Sequence, residues 1–174
     1  MAKKRFVIDT NVFVSAVIFP LSKTKEAVDK AVLGGIIVLS PPIVQELSET
    51  LSRTKFDKYL SLAARLSFLE NILLQGVVME ATVEIKACRD ATDDMFLELA
   101  LTAQAACIIT GDPDLLALHP FRGIPIINAV EFLKCIMWIF EIVSRESGML
   151  NQQILASSRL YVKKFSKALK KVNS

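Results

Sequence analysis

The sequence holds one histidine, His119, and so lacks the histidine clusters on which zinc hydrolases are built. Its three cysteines, Cys88, Cys107 and Cys135, are odd in number and widely spaced, and no pair has metal-ligand spacing. Set among apolar neighbours, they read as buried, reduced thiols of a cytoplasmic protein rather than a disulfide framework. No Gly-rich phosphate loop and no G-x-G-x-x-G occurs, which argues against nucleotide-dependent chemistry. Long unbroken apolar runs are missing too. The strongest candidate, Phe132–Val143, is interrupted by Lys134 and Glu141 and falls well short of the ~20 residues that span a bilayer. Lys3-Lys4-Arg5 followed by an apolar run imitates the start of a signal peptide. Asp9 and Asn11 break what would be its hydrophobic region, and no small-residue cleavage site follows. A cytoplasmic location without membrane insertion is expected.

What is present suits a folded domain. The chain has 174 residues, 52% hydrophobic and 22% charged, enough for a substantial core. The net charge of +3 is unevenly placed. Residues 136–174 carry seven basic side chains (Arg145, Arg159, Lys163, Lys164, Lys167, Lys170, Lys171) against Glu141 and Glu146. The rest of the chain has fourteen basic and sixteen acidic groups, so a slightly acidic body carries a basic tail. The expected division is a domain over 1–135 and a basic helical extension over 136–174.

Strand-like and helix-like segments alternate through the first part. Phe6-Val7-Ile8, Ile36–Leu39, Gly76–Met79, Cys107–Thr110 and Ile124–Asn128 read as five strands, the second a continuous β-branched run of the kind buried on both faces. Between them, Val12–Phe19, Ser22–Val32, Ile43–Ser52, Leu60–Leu74, Met95–Ala106 and Leu115–Leu118 read as helices, with another beginning at Ala129. Such alternation predicts a three-layer α/β/α domain around a parallel sheet of about five strands.

The acids fall at informative places. Asp9 follows the first strand, Glu46 lies in the helix after the second, Asp90, Asp93 and Asp94 precede a helix, and Asp112 with Asp114 follows the fourth. Asp9 alone has two readings: a helix N-cap, which Asp, Thr and Asn all favour, or a group at the carboxyl end of a buried strand. Strand ends of a parallel sheet share one edge, so acids distant in sequence can converge there. Gathered carboxylates repel one another, and a divalent cation relieves that penalty. All-oxygen ligands suit Mg²⁺ or Mn²⁺, and one ion, or a pair ~4 Å apart, activates water toward a phosphodiester. For Asp114 the plainer reading is a cap on the Leu115 helix, and at least one of Asp90, Asp93 and Asp94 reads as a solvated loop residue or N-cap.

Taken together these pieces resemble the PIN-domain family of ribonucleases. The likeness rests on Val7-Ile8-Asp9-Thr10-Asn11, on Glu46 after Ser40-Pro41-Pro42, and on Arg89-Asp90-Ala-Thr-Asp93-Asp94-Met-Phe-Leu-Glu-Leu-Ala. Ile109-Thr110-Gly111-Asp112-Pro-Asp114-Leu-Leu and Gly123-Ile-Pro-Ile-Ile-Asn-Ala-Val-Glu-Phe-Leu complete it. It spans residues 5–135 in order, and within the family it is most similar to toxin components of type II toxin–antitoxin systems. The resemblance implies metal-dependent cleavage of single-stranded RNA, a homodimer or higher homo-oligomer, and a cognate antitoxin. Carried over by position, it makes Asp9, Glu46, Asp94 and Asp112 the catalytic, metal-binding acids, with Asp90 and Asp93 as rivals of Asp94. Thr10, Asn11 and Thr110 become supporting contacts, with capping a secondary role of Thr10 or Asn11.

Two other functions compete. An aspartyl phosphotransferase would want a second Asp two residues after the first, where Asn11 stands. A catalytically silent PIN-like RNA-binding module would not need all four acids. In the tail, Ile154, Leu155, Leu160, Val162, Phe165, Leu169 and Val172 interleave with Lys and Arg at amphipathic-helix spacing. Packing on the body or a second subunit, contact with RNA phosphates and association with a membrane surface are its three readings.

Overall fold

β1 (Lys4–Ile8), β2 (Gly35–Leu39), β3 (Val77–Val78), β4 (Cys107–Ile109) and β5 (Ile126–Ile127) form one parallel sheet ordered β3-β2-β1-β4-β5. These are features of a computed structural model that describes residues 3–136. By its contacts the chain divides into Met1–Lys134 and Cys135–Ser174, and the fold is that of the first unit. The basic extension expected over 136–174 lies, from residue 137 on, outside the described residues.

The middle strands consist of buried apolar residues, as the continuous β-branched runs require: Phe6, Val7, Ile8, Ile37, Val38, Leu39, Cys107, Ile108 and Ile109 are all covered. Each large side chain so buried contributes roughly 2 kcal/mol. The order reverses at β1, with β2 and β3 laid down on one side and β4 and β5 on the other. Right-handed crossovers then send the connections to opposite faces, giving the α/β/α layers. The helices are α1 (Thr10–Ile18), α2 (Lys23–Gly34), α3 (Pro41–Leu51), α4 (Leu62–Gln75), α5 (Asp94–Thr102) and α6 (Pro113–Leu116), and residues 129–136 are also helical. Phe132 of that last segment meets the Phe6 ring edge-on at 5.2 Å, and Phe13 of α1 meets Phe68 of α4 at 6.4 Å.

Several boundaries differ from expectation for local reasons. α2 runs through Gly34 and β2 starts at Gly35 with no connecting residue; a Cβ there would lie 2.3 Å from the Lys4 carbonyl oxygen, so the close crossing needs glycine. Lys25, expected outside, is buried against Asp29 at 2.5 Å. α5 stops at Thr102 instead of running to Ala106. There Ala105 N–H donates to the Ala100 carbonyl and Gln104 N–H to that of Leu101, a Schellman ending with Gln104 at φ 50°. β5 is confined to Ile126–Ile127 because Phe121 and Ile124 pair across a two-residue turn, Arg122-Gly123, with positive φ at both. No disulfide joins the cysteines, and of the three expected to be buried only Cys107 is. No described helix is long and apolar enough to cross a membrane.

Candidate active site

The crevice at the order reversal, beyond the carboxyl ends of β1 and β4, is where an open α/β sheet places a ligand. Register decides what meets there. Ile8 pairs with Ile109, so Asp9 and Thr110 are the next residues on neighbouring strands, and Asp9 N–H donates to the Ile109 carbonyl at 3.0 Å. Thr110, fully buried, donates its hydroxyl to Asp9 Oδ2 at 2.6 Å and accepts the Asp112 N–H at 2.9 Å. One hydroxyl thereby links two of the acids.

Asp9 performs both functions considered for it. Its Oδ1 accepts the Asn11 N–H at 3.0 Å and caps α1, while Oδ2, at the carboxyl end of β1, accepts the Thr110 hydroxyl. The cap role expected for Thr10 or Asn11 therefore belongs to Asp9. Thr10 instead donates to Glu46 Oε2 at 2.6 Å, bringing the second acid from α3 to the start of α1. Asn11 contributes its backbone N–H, and the residue is exposed. Burial pushes the Asp9 carboxyl up; bonds from Thr110 and Asn11 pull it down, and the charges of Glu46 and Asp112 add to the upward push.

At the third position the structure treats the adjacent acids Asp93 and Asp94 differently. Asp94 is turned into its own connection, where Oδ1 accepts N–H groups of Ala87 at 3.0 Å and Cys88 at 2.8 Å. Burial raises its carboxyl, but those two donors outweigh that and hold it below the usual range. Asp93 is the residue that senses the other acids. Its carboxyl is pushed up to about 6, first by burial and then by the charges of Asp112, Asp90, Asp9 and Glu46. One residue of helical rotation separates the two roles, because the 3-10 turn Ala91–Asp93 runs straight into α5. Asp90 is spent on that turn: its Oδ1 accepts the Thr92 N–H at 3.0 Å and hydroxyl at 2.8 Å, bonds that lower its pKa.

Asp112 caps α6 by accepting the Asp114 N–H at 2.7 Å, so the cap assigned to Asp114 belongs to Asp112. Asp114 instead pairs with Arg89 at 2.6 Å. The sequence reading did not single out this ion pair; Arg89 stands next to Asp90 in the quoted run, and only the fold brings it to Asp114. It also overlooked Arg65, which is fully buried on α4. Its signal was its spacing, since Arg65 shares the inward face with Leu69 and Ile72. His119 uses Nδ1 to accept the Ile126 N–H, which holds β5 in place. Burial and the Asp94 carboxylate push the Cys88 thiol up to about 12, so it stays protonated.

Asp9 and Asp93 are both raised in part by the charges of Glu46 and Asp112, and carboxylate oxygens are the donor type that a hard divalent cation takes. Among the described residues no three carboxylate, histidine or thiol groups are gathered closely enough to hold an ion as they stand. The Thr10 and Thr110 hydroxyls are bonded to Glu46 Oε2 and Asp9 Oδ2.

A family model described as PIN domain matches residues 5–114. An uncharacterised protein of Methanocaldococcus jannaschii is 35% identical over 119 residues, which covers 67% of this chain and 76% of that protein. Among solved structures, VapBC2 from Rickettsia felis, bound to a DNA fragment from its promoter, is similar in fold with a TM-score of 0.51. The two are 13% identical, and the match covers 71% of this chain and 98% of the other. With the family model spanning the strands, helices and acids that build the crevice, this chain belongs to the PIN-domain family.

Proposed function

We propose that this chain is a metal-dependent ribonuclease that cleaves phosphodiester bonds of single-stranded RNA, the toxin of a toxin–antitoxin pair. The observation that carries the reading is geometric: Thr110 bonds both the Asp9 carboxylate and the Asp112 backbone, Thr10 bonds Glu46, and with Asp93 these acids come from four successive connections of one sheet. These four would hold one or two Mg²⁺ or Mn²⁺ ions. When bound, such an ion supplies an activated water and a positive charge opposite the phosphate. Thr110 fixes the Asp9 carboxylate and the Asp112 backbone, and Thr10 fixes Glu46, so two hydroxyls set the spacing of the acids. Asp94 holds the 87–88 backbone against the start of α5 and so aims Asp93. The family's toxins, which the sequence resembles, supply the expectation of a cognate antitoxin, a homo-oligomer and a cytoplasmic location.

Cleavage of single-stranded RNA in Mg²⁺ or Mn²⁺, abolished by EDTA and by Asp9→Asn without loss of fold, is the expected result. Full activity of Asp9→Asn against a panel of RNAs would overturn it. A second reading, a silent RNA-binding module, is favoured by the finding that no three carboxylate, histidine or thiol groups among the described residues are gathered closely enough to hold an ion. Binding without metal-dependent cleavage would support it.

A further inference from the structure

The acid crevice attracts a metal but repels a phosphodiester chain, so a strand approaching it needs cations elsewhere. The segment joining α3 to α4, residues 53–60, supplies them. It reads Arg-Thr-Lys-Phe-Asp-Lys-Tyr-Leu, with Arg53, Lys55, Lys58 and Tyr59 exposed. Lys55 lies over the Phe56 ring at 4.9 Å and Lys58 over the Tyr59 ring at 4.8 Å. Elsewhere in the described residues the exposed cations Lys23, Lys86 and Arg89 pair with Glu26, Glu84 and Asp114, whereas Lys4, Arg122 and Lys134, spread over the surface, enter no ion pair. Arg53, Lys55 and Lys58 enter no ion pair among the described residues, and the carboxylate in their midst, Asp57, is taken by Arg65.

Arg65 also gives the segment its shape. Its fully buried guanidinium donates to the Arg53 carbonyl at 2.9 Å, to the Ser61 carbonyl at 3.4 Å and to Asp57. Both ends of the segment are thereby tied to α4, and the 3-10 turn Thr54–Phe56 lies between them. Two helices lead from the acids to this place. Arg53 is seven residues beyond Glu46, about 10 Å at the helical rise. α1 runs from Asp9 to Phe19, whose ring meets Tyr59 edge-on at 5.9 Å.

We propose that residues 53–59 are a binding surface for single-stranded RNA, with Arg53, Lys55 and Lys58 contacting phosphates and Tyr59 stacking on a base. The proposal rests on the ribonuclease reading and adds where the strand is held. Cations beside the exposed Tyr59 ring and the half-buried Phe56 ring favour a nucleic acid over an acidic protein segment, because rings serve as platforms for bases.

The test uses the full chain with EDTA present, so that binding is read without cleavage. Affinity for a fluorescent 12-nucleotide RNA is measured across a salt series for wild type, for R53Q/K55Q/K58Q and for Tyr59→Ala. With about 0.7 of salt slope per phosphate contact of a single strand, the triple variant should lose about 2 from the slope, and about tenfold or more in affinity at low salt. Tyr59→Ala should bind at least about fivefold more weakly with the slope unchanged, since a stacked base carries no counterion change. Unaltered affinity and slope in a folded triple variant overturn the surface, and an acidic polypeptide that binds wild type but not the triple variant would then be its partner. A separate cleavage assay in Mn²⁺ keeps the two claims apart. Cleavage with loop-independent binding overturns only the surface, and loop-dependent binding without cleavage overturns only the nuclease.

Discussion

Two buried charge systems in this fold are built on opposite principles. At Arg65 a buried cation is surrounded by acceptors, two carbonyls and a carboxylate, so its charge is answered where it stands. At the crevice, Asp9 is buried beside Glu46 and Asp112, and hydroxyl and amide donors answer its charge only in part. Compensated charge of the first kind gives shape, here the course of the 53–60 segment. Uncompensated like charge of the second kind costs stability and persists where something else, a cation in this reading, restores the balance.

Substitutions should separate the two systems. The largest effect is expected for Asp9→Asn on cleavage, a loss of more than about 100-fold, the upper end for a mere outer partner of a metal ligand. Its melting temperature should hold or rise, because Asn also caps a helix and removes a buried charge. A marked fall in melting temperature would show that Asp9, like Arg65, is structural. Arg65→Ala should behave the opposite way and lose about 3 kcal/mol in urea unfolding, through stranded carbonyls and a lost ion pair. Less than about 1 kcal/mol would remove the contrast.

Neighbouring carboxylates offer a finer cut. Asp94→Asn should destabilise by about 2 kcal/mol, since it weakens two charge-assisted bonds from backbone N–H groups. Asp93→Asn should be neutral or stabilising in EDTA yet lose cleavage. Equal stability changes in the two variants would erase the distinction between them. The smallest effect is the pH dependence. The folded-state pKa of Asp93, about 6, lies above the ordinary carboxylate value of 3.8, so its favourable contribution is full below the unfolded value and is lost as pH rises through 6. Asp9, also raised, acts in the same direction. Unfolding free energy in EDTA should therefore fall between pH 4 and 6.5, less steeply in Asp93→Asn, and saturating Mn²⁺ should flatten the wild-type curve. A rise over that range would contradict the like-charge description.

Much of this was legible in residue order. The apolar β-branched runs and the helical spacing between them carry the layers, because strands buried on both faces and amphipathic helices have few other ways to pack. Asp9, Glu46 and Asp112 were legible as candidates because Asp9 directly follows a strand, Asp112 precedes the helix after another, and Glu46 lies within the helix after a third. Less was legible at the third acid. Asp93 and Asp94 are adjacent and chemically identical, and which faces the crevice depends on where a 3-10 turn gives way to α5. The end of α5 was hidden likewise, since Gln104 takes the left-handed conformation that glycine usually signals. Arg65 was readable only as a charged residue on an apolar stripe, a pattern that does not name its acceptors.

Sequence by itself determined the parallel α/β/α architecture, the strand ends at which acids appear and the all-oxygen character of the donors. It did so because periodicity and residue chemistry are local properties. Tertiary structure alone decided that Asp9 caps α1 while bonding Thr110, that Thr10 holds Glu46, and that Asp94 is taken up by the 87–88 backbone. Those outcomes depend on the register of β1 against β4 and on one residue of helical rotation, which distances between remote segments set and no local pattern encodes.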